Sequence, residues 1–280
     1  MKQIISAVVA GSLGLTVVGL FGTANSNRFL QPAKAMSPTL LSQLNSKLNL
    51  PLLAKATAAF VQSDRYRTES EMRVKASSGG TDVTSVAKVT TLVQVPYQFR
   101  AEITFPSDTG KEVKSIVISD GKRVWMYRPD LKQYAVTPFE KFDDLDDYYW
   151  IGMSSYWYSS VTPDVRELFT NGSLTDPQVL KELGMTGTSP LKGSSQTLNG
   201  RSLYSYEFTD KEGFTISALV EPSTAELKQI RLNGKSDGFN VDIAERILSR
   251  TANPEIAASI FKFTPPSGAK LVKSVAIGPL

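Results

Sequence analysis

Apolar and polar side chains alternate strictly from Phe99 to Phe105: Phe99, Ala101, Ile103 and Phe105 fall on one side, Arg100, Glu102 and Thr104 on the other. A period of two sends successive side chains to opposite faces of a strand, so this stretch predicts a strand with one dry and one wet face. Extended segments flank it. Thr68 to Lys75 is polar and extended, Ser77-Ser78-Gly79-Gly80 reads as a turn, and Val83 to Val95 is rich in Val and Thr, which favour strands. Val113 to Ser119 continues the pattern. Asp120-Gly121 then makes a tight turn, since Gly takes positive φ without steric cost. Arg123 to Tyr127 is the next strand, Arg128-Pro129-Asp130 the next turn, and Lys132 to Thr137 the returning strand. About six consecutive antiparallel strands therefore precede any second helix.

Helical spacing occurs in fewer places. Leu52, Leu53, Ala56, Ala59 and Phe60 share one helix face, which predicts a helix from about Leu52 to Gln62, started by the break at Pro51. Asp143 to Val161 breaks the strand rhythm, and Pro163 to Phe169 and Pro177 to Leu183 predict two short helices with Pro near their starts. Strands resume at Ser194 to Leu198, Ser202 to Thr209, Thr215 to Glu221, Leu227 to Asn233 and Phe239 to Ser249, with turns at Asn199-Gly200 and Asp237-Gly238. Phe261-Lys262-Phe263 closes the pattern before Pro265-Pro266. The expected fold is mainly β (α+β): a single curved antiparallel sheet of about ten or eleven strands forming an incomplete barrel, with helices covering the concave face. Such a sheet with an apolar inner face and a helical lid encloses a cavity.

Candidate lining of that cavity is Phe99, Ile103, Phe105, Ile116, Ile118, Trp125 and Tyr127. Sheet core is the other reading of these residues, and the two partly coincide because a cavity wall is unfilled core. Between Tyr148 and Tyr158, six aromatics crowd into eleven residues. Core packing of a lid helix is one reading. The other is a lipid-, membrane- or partner-facing surface, since Tyr and Trp suit a boundary with one wet side. Tyr149, Trp150, Met153, Tyr156 and Trp157 are the candidates for the lid or for membrane or partner contact.

Charge and composition narrow the function. The formal charge is +4, but Lys2, Arg28 and Lys34 lie within positions 1–35 where no acid does, leaving the rest near neutrality and without a basic field for nucleic acid. The chain has no Cys, which excludes disulfides and a lipid-modified cysteine, and no His, which excludes Ser-His-Asp and Cys-His machinery and His metal sites. Gly152-Met153-Ser154-Ser155-Tyr156 lacks the second Gly of a nucleophile elbow. Asp143-Asp144-Leu145-Asp146-Asp147 reads as solvated turn or helix-start acids rather than a hard-cation site. No metal or cofactor is expected. Ile4 to Gly22 is an apolar run behind Met1-Lys2, and Ala33-Lys34-Ala35 suits a signal peptidase. The expected organisation is a signal peptide at 1–35 and one domain at 36–280. Cleavage after Ala24 and an uncleaved membrane anchor are the alternatives.

Three motifs add a family. Ser119-Asp120-Gly121 with Trp125 and Asp130, Val95-Pro96-Tyr97-Gln98-Phe99-Arg100, and Asn253-Pro254 followed by Phe261-Lys262-Phe263-Thr264-Pro265-Pro266-Ser267-Gly268 occur in that family's order. The chain resembles the LolA-type periplasmic lipoprotein carriers, a superfamily that includes RseB-type envelope sensors. The resemblance implies a half-open barrel taking up acyl chains in the periplasm. It implies a monomer with no catalytic residue whose partner is a lipid or acylated lipoprotein, exchanged with an inner-membrane donor or an outer-membrane acceptor during outer membrane biogenesis. An envelope sensor or protein-interaction module using the same sheet is the alternative. In the carriers an Arg before the strand-start Pro helps to latch the lid. That position is Val95 here, so the latch is absent or built from other residues.

Overall fold

A computed structural model describes residues 48–279, apart from 107–109, 111, 146, 183–190, 199, 211–212 and 237. The apolar run at 4–22 and both candidate cleavage positions lie outside the described residues.

Helix α1 (Leu50–Val61) opens the described chain. Asn49 caps it, its Oδ1 accepting from Leu52 N at 3.1 Å, and Pro51 sits in the first turn, where a missing N–H costs nothing. The helix therefore starts before the proline rather than after it. Six strands follow: β1 (Arg65–Ser78), β2 (Thr81–Gln94), β3 (Gln98–Phe105), β4 (Val113–Asp120), β5 (Arg123–Arg128) and β6 (Gln133–Pro138). Irregular chain with 3-10 turns at Phe139–Lys141 and Tyr148–Ile151 leads to the short helices α2 (Met153–Ser159), α3 (Pro163–Thr170) and α4 (Pro177–Glu182). A second meander completes the domain: β7 (Lys192–Leu198), β8 (Arg201–Thr209), β9 (Thr215–Val220), β10 (Leu227–Ser236) and β11 (Phe239–Ala252), with the two-residue β12 (Lys270–Leu271) near the end.

All strands join one open sheet in the order β12-β6-β5-β4-β3-β2-β1-β11-β10-β9-β8-β7. The long β1–β11 pairing, Tyr66 opposite Ala252 through Ser77 opposite Asn240, welds the two meanders together. The sheet has 12 strands, and the addition to the expected set is β12, which pairs parallel to β6. Phe261-Lys262-Phe263 forms no closing strand: Ala258–Phe261 is a 3-10 turn followed by irregular chain. The turn chemistry expected at Asp120-Gly121 is present, with Gly121 at φ +94° and Asp120 Oδ1 accepting from Lys122 N (2.8 Å) and Arg123 N (2.9 Å).

Register assigns every side chain to a face. One ladder runs Val93, Phe99, Ser119, Val124; the next runs Leu92, Arg100, Ile118, Trp125, Val136. The first belongs to the inner face, which with Met72, Val74, Val89, Ile103, Phe105 and Met126 forms the main core. The second belongs to the outer face, where central strands carry ion pairs such as Arg100–Glu102 (3.0 Å) and Arg231–Asp242. Two covers lie on the inner face. Helix α1 with Leu174 and Leu180 packs on Tyr206 and Val220, and the Tyr148–Tyr158 segment packs on β2 and β3. Between them the Arg250 guanidinium sits 3.4 Å from the ring centre of Tyr66, 4.2 Å from Phe60 and 4.9 Å from Tyr158, tying β1, α1 and α2 together.

Candidate functional site: the covered inner face

The aromatic segment is a plug. Tyr148, Tyr149, Trp150, Ile151, Met153 and Tyr158 are at most 2% exposed and Tyr156 is 6% exposed. Trp150 meets Phe105 edge-on at 4.9 Å, and Tyr148 and Tyr156 meet at 5.0 Å beside Phe142, which lies 5.6 Å from Phe99. The sequence explains this packing. A sheet this wide has more apolar inner surface than one helix can cover, and rings bury most area per residue. Of the contact candidates, Tyr149, Trp150, Met153 and Tyr156 are therefore interior, which corrects their reading as a membrane- or partner-facing surface. Trp157 alone of the five is half-buried.

The seven lining candidates divide between the faces. Phe99, Ile103 and Phe105 lie on the inner face under the plug. Ile116, Ile118, Trp125 and Tyr127 lie on the outer face, because Ile118 pairs with Arg100 and Trp125, and Ile116 with Glu102 and Tyr127. They cannot line one hollow with Phe99. A one-residue difference in parity decides the face, and β5 sends its smaller residues Val124 and Met126 inward. The outer rings have their own cover: Phe263 stacks on Trp125 at 6.2 Å and lies tilted against Tyr127 at 6.0 Å and Tyr134 at 5.3 Å.

Polar anchors fasten the plug. Thr91 Oγ1 donates to Ile151 O at 2.6 Å, and Tyr97 N donates to Ser159 O at 2.7 Å. Glu245 on β11, wholly buried, accepts from Ser154 N at 2.7 Å and Ser154 Oγ at 2.8 Å, and Ser70 also bonds it. Burial pushes this carboxyl above the usual glutamate range, against the opposing pull of those hydrogen bonds and of Arg250. Burial likewise lowers Arg250 to about 10 and raises Asp143, which bonds Tyr156. Gly152, at φ +91°, joins the 3-10 turn to α2, and a methyl there would lie 2.9 Å from Glu245 Oε1. Val95 stands where the carriers have their latch Arg, and the fastening here comes from Thr91, Glu245 and Tyr97. Motif reading missed Glu245, although it interrupts the buried series Val241, Ile243, Ile247, a signal visible in the alternation itself.

An open groove of about 380 Å³ lies elsewhere, between Leu198, Leu203, Ile247 and Leu248 and flanked by Arg201 and Arg246. Arg246 is ion-paired with Glu71. No cluster of acids able to hold a metal ion occurs among the described residues.

Neither a protein-family model nor a curated protein matches the sequence. Solved structures do. A DUF1329 family protein from Desulfovibrio piger is 15% identical, over 76% of this chain and 95% of that one, at a TM-score of 0.34. A LolA superfamily protein from Nitrosomonas europaea is 8% identical, over 76% and 96%, at 0.31. MucB from the Pseudomonas aeruginosa MucA/MucB complex is 12% identical, over 77% of this chain and 60% of that chain, at 0.33. The family expected from the Pro96, Asp120-Gly121 and Pro265-Pro266 motifs is among them. At such scores the likeness carries no argument about ligand or partner.

Proposed function

We propose that this protein is a non-catalytic, periplasmic carrier or binding protein for a lipid or for the acyl part of a lipoprotein. One observation carries the reading. The apolar inner face of β2 and β3 is covered by a short segment with few polar anchors and a glycine joint at Gly152, not by a further sheet or a long helix. Lifting that segment bares Phe99, Ile103 and Phe105 together. An acyl chain entering between sheet and plug is touched on both sides, so each ring exchanges one apolar neighbour for another. At about 0.8 kcal/mol per buried CH₂, a chain of ordinary length has ample gross driving force for the exchange. The filled hollow is then the closed, ligand-free form, and opening is a population shift toward a minor state.

The absence of His and Cys from the whole chain supports a role without covalent catalysis. Glu245 is engaged by Ser154 and Ser70, which leaves it no free acid–base duty. Native mass spectrometry after mild extraction from the envelope tests the proposal. The expected result is a bound lipid mass that disappears when Ile103→Glu is introduced under the plug. A folded protein that carries no lipid from any extract, and takes up no fluorescent fatty acid, sinks it.

A further inference from the structure

The C-terminal tail is held in an unusual way. After Phe263 on the outer face the chain rounds the free edge of β6, where Lys270 N donates to Lys132 O and Val272 N to Tyr134 O, both at 2.9 Å. Lys273 and Ser274 are exposed. The tail then enters the inner face, where Ile277 is 1% exposed within the main core.

Its main chain is gripped there by three side chains from different elements. Asp147 Oδ2 accepts from Ile277 N (2.6 Å) and Gly278 N (3.1 Å). Ser115 Oγ donates to Ile277 O (2.6 Å). Arg128 Nη1 donates to Ala276 O (3.2 Å) and Gly278 O (3.3 Å). Asp130 holds Arg128 independently of the tail, accepting from Nε at 2.9 Å and Nη2 at 2.8 Å, and this ion pair draws the Asp130 carboxyl below its usual range. All five tail contacts are to backbone atoms. Side-chain identity enters only through the apolar socket for Ile277 and through Gly278, where a methyl would lie 2.8 Å from Trp150 Nε1.

We propose that this socket is a docking site for an extended segment of a partner protein, an aliphatic residue followed by glycine, and that the chain's own tail is its resting occupant. Main-chain capture with a pocket for one side chain is how sheet edges recognise extended peptides in general. The partner segment lies along the β6 edge, as Lys270 and Leu271 do now, and places its aliphatic residue where Ile277 sits. The short β12 and the exposed link let the segment leave as a unit, and the incoming one must replace its five hydrogen bonds and the buried Ile277. Asp147 directly precedes the aromatic plug, so loss of the tail also loosens Trp150. This inference does not depend on lipid binding.

The test uses the full chain and a dye-labelled peptide with the tail's own sequence from Leu271 to Pro279. Ile277→Asp expels the tail from the apolar socket. The labelled peptide should bind that variant saturably, and wild type at least about tenfold more weakly, because its socket is filled. A peptide with Asp in place of the isoleucine should not bind the variant. If Ile277→Asp fails to fold, a protease site placed at exposed Lys273-Ser274 serves instead: the cut tail should exchange with added labelled peptide. A folded variant that ignores the peptide, or a cut tail that never exchanges, overturns the proposal. No lipid is present in either assay, so neither failure bears on the carrier reading.

Discussion

Glu245 is the most informative residue to replace. It is wholly buried and anchors the aromatic plug through Ser154 N and Oγ. Glu245→Ala strands two buried donors on Ser154 and the Ser70 hydroxyl. At about 1–3 kcal/mol for each unsatisfied buried group, the loss should be about 3–5 kcal/mol. Glu245→Gln keeps an acceptor for Ser154 N and removes the cost of burying a charge, so its stability at neutral pH should lie within about 1 kcal/mol of wild type. The pH dependence follows from the raised folded-state value. A raised carboxyl favours the protonated form in the fold. Its stabilising contribution is complete below the unfolded value, about 4.3, and is lost as pH rises through the folded value. Relative to Glu245→Gln, wild type should therefore gain stability as pH falls into that window. Urea unfolding of the three proteins at several pH values measures this, with unchanged slopes confirming that the same surface unfolds. A Gln variant as damaged as Ala, or a wild type that gains on Gln as pH rises, would mean that the hydrogen bonds and Arg250 outweigh burial at this carboxyl.

Three further outcomes follow from the packing. Trp150→Ala should cost about 3–5 kcal/mol in chemical denaturation, whereas Trp157→Ser, at a half-buried site, should cost about 1 kcal/mol; equal losses would contradict the burial difference. Gly152→Ala combines a positive φ with a methyl 2.9 Å from Glu245 Oε1, so hydrogen exchange should show faster opening confined to Tyr148–Ser159, and a uniform response would refute the local joint. Phe263→Ala should expose Trp125 on the outer face and red-shift its emission with a loss of about 1–2 kcal/mol, while Trp150 keeps its environment, as a Trp125→Phe background would reveal.

Strands were legible because period two is a local property. β3, with Phe99, Ala101, Ile103 and Phe105 against Arg100, Glu102 and Thr104, needs no partner to be read. Turns were legible where chemistry forces them, as at Asp120-Gly121. Facing direction was not, because it depends on register with neighbours. Trp125 and Tyr127 look like core by size, yet pairing to Ile118 and Ile116 places them outside, where Phe263 supplies an apolar partner from far along the chain. The plug was visible as an aromatic cluster, but its burial depends on the width of the sheet beneath it. The tail carried least signal. Val272 to Gly278 has neither period, and its fixing comes from Ser115, Arg128 and Asp147, scattered over other elements.

That tail also sets an order of events for the newly made molecule. Synthesis runs from the opposite end, so all the sheet's long strands exist before Ile277 does. Until Ile277 and Gly278 emerge, Trp150 lacks its neighbour at Gly278, and Asp147 lacks the two amide donors from which it accepts. A chain cut before Ile277 would carry a sheet complete in its main strands around an interior that those contacts no longer seal.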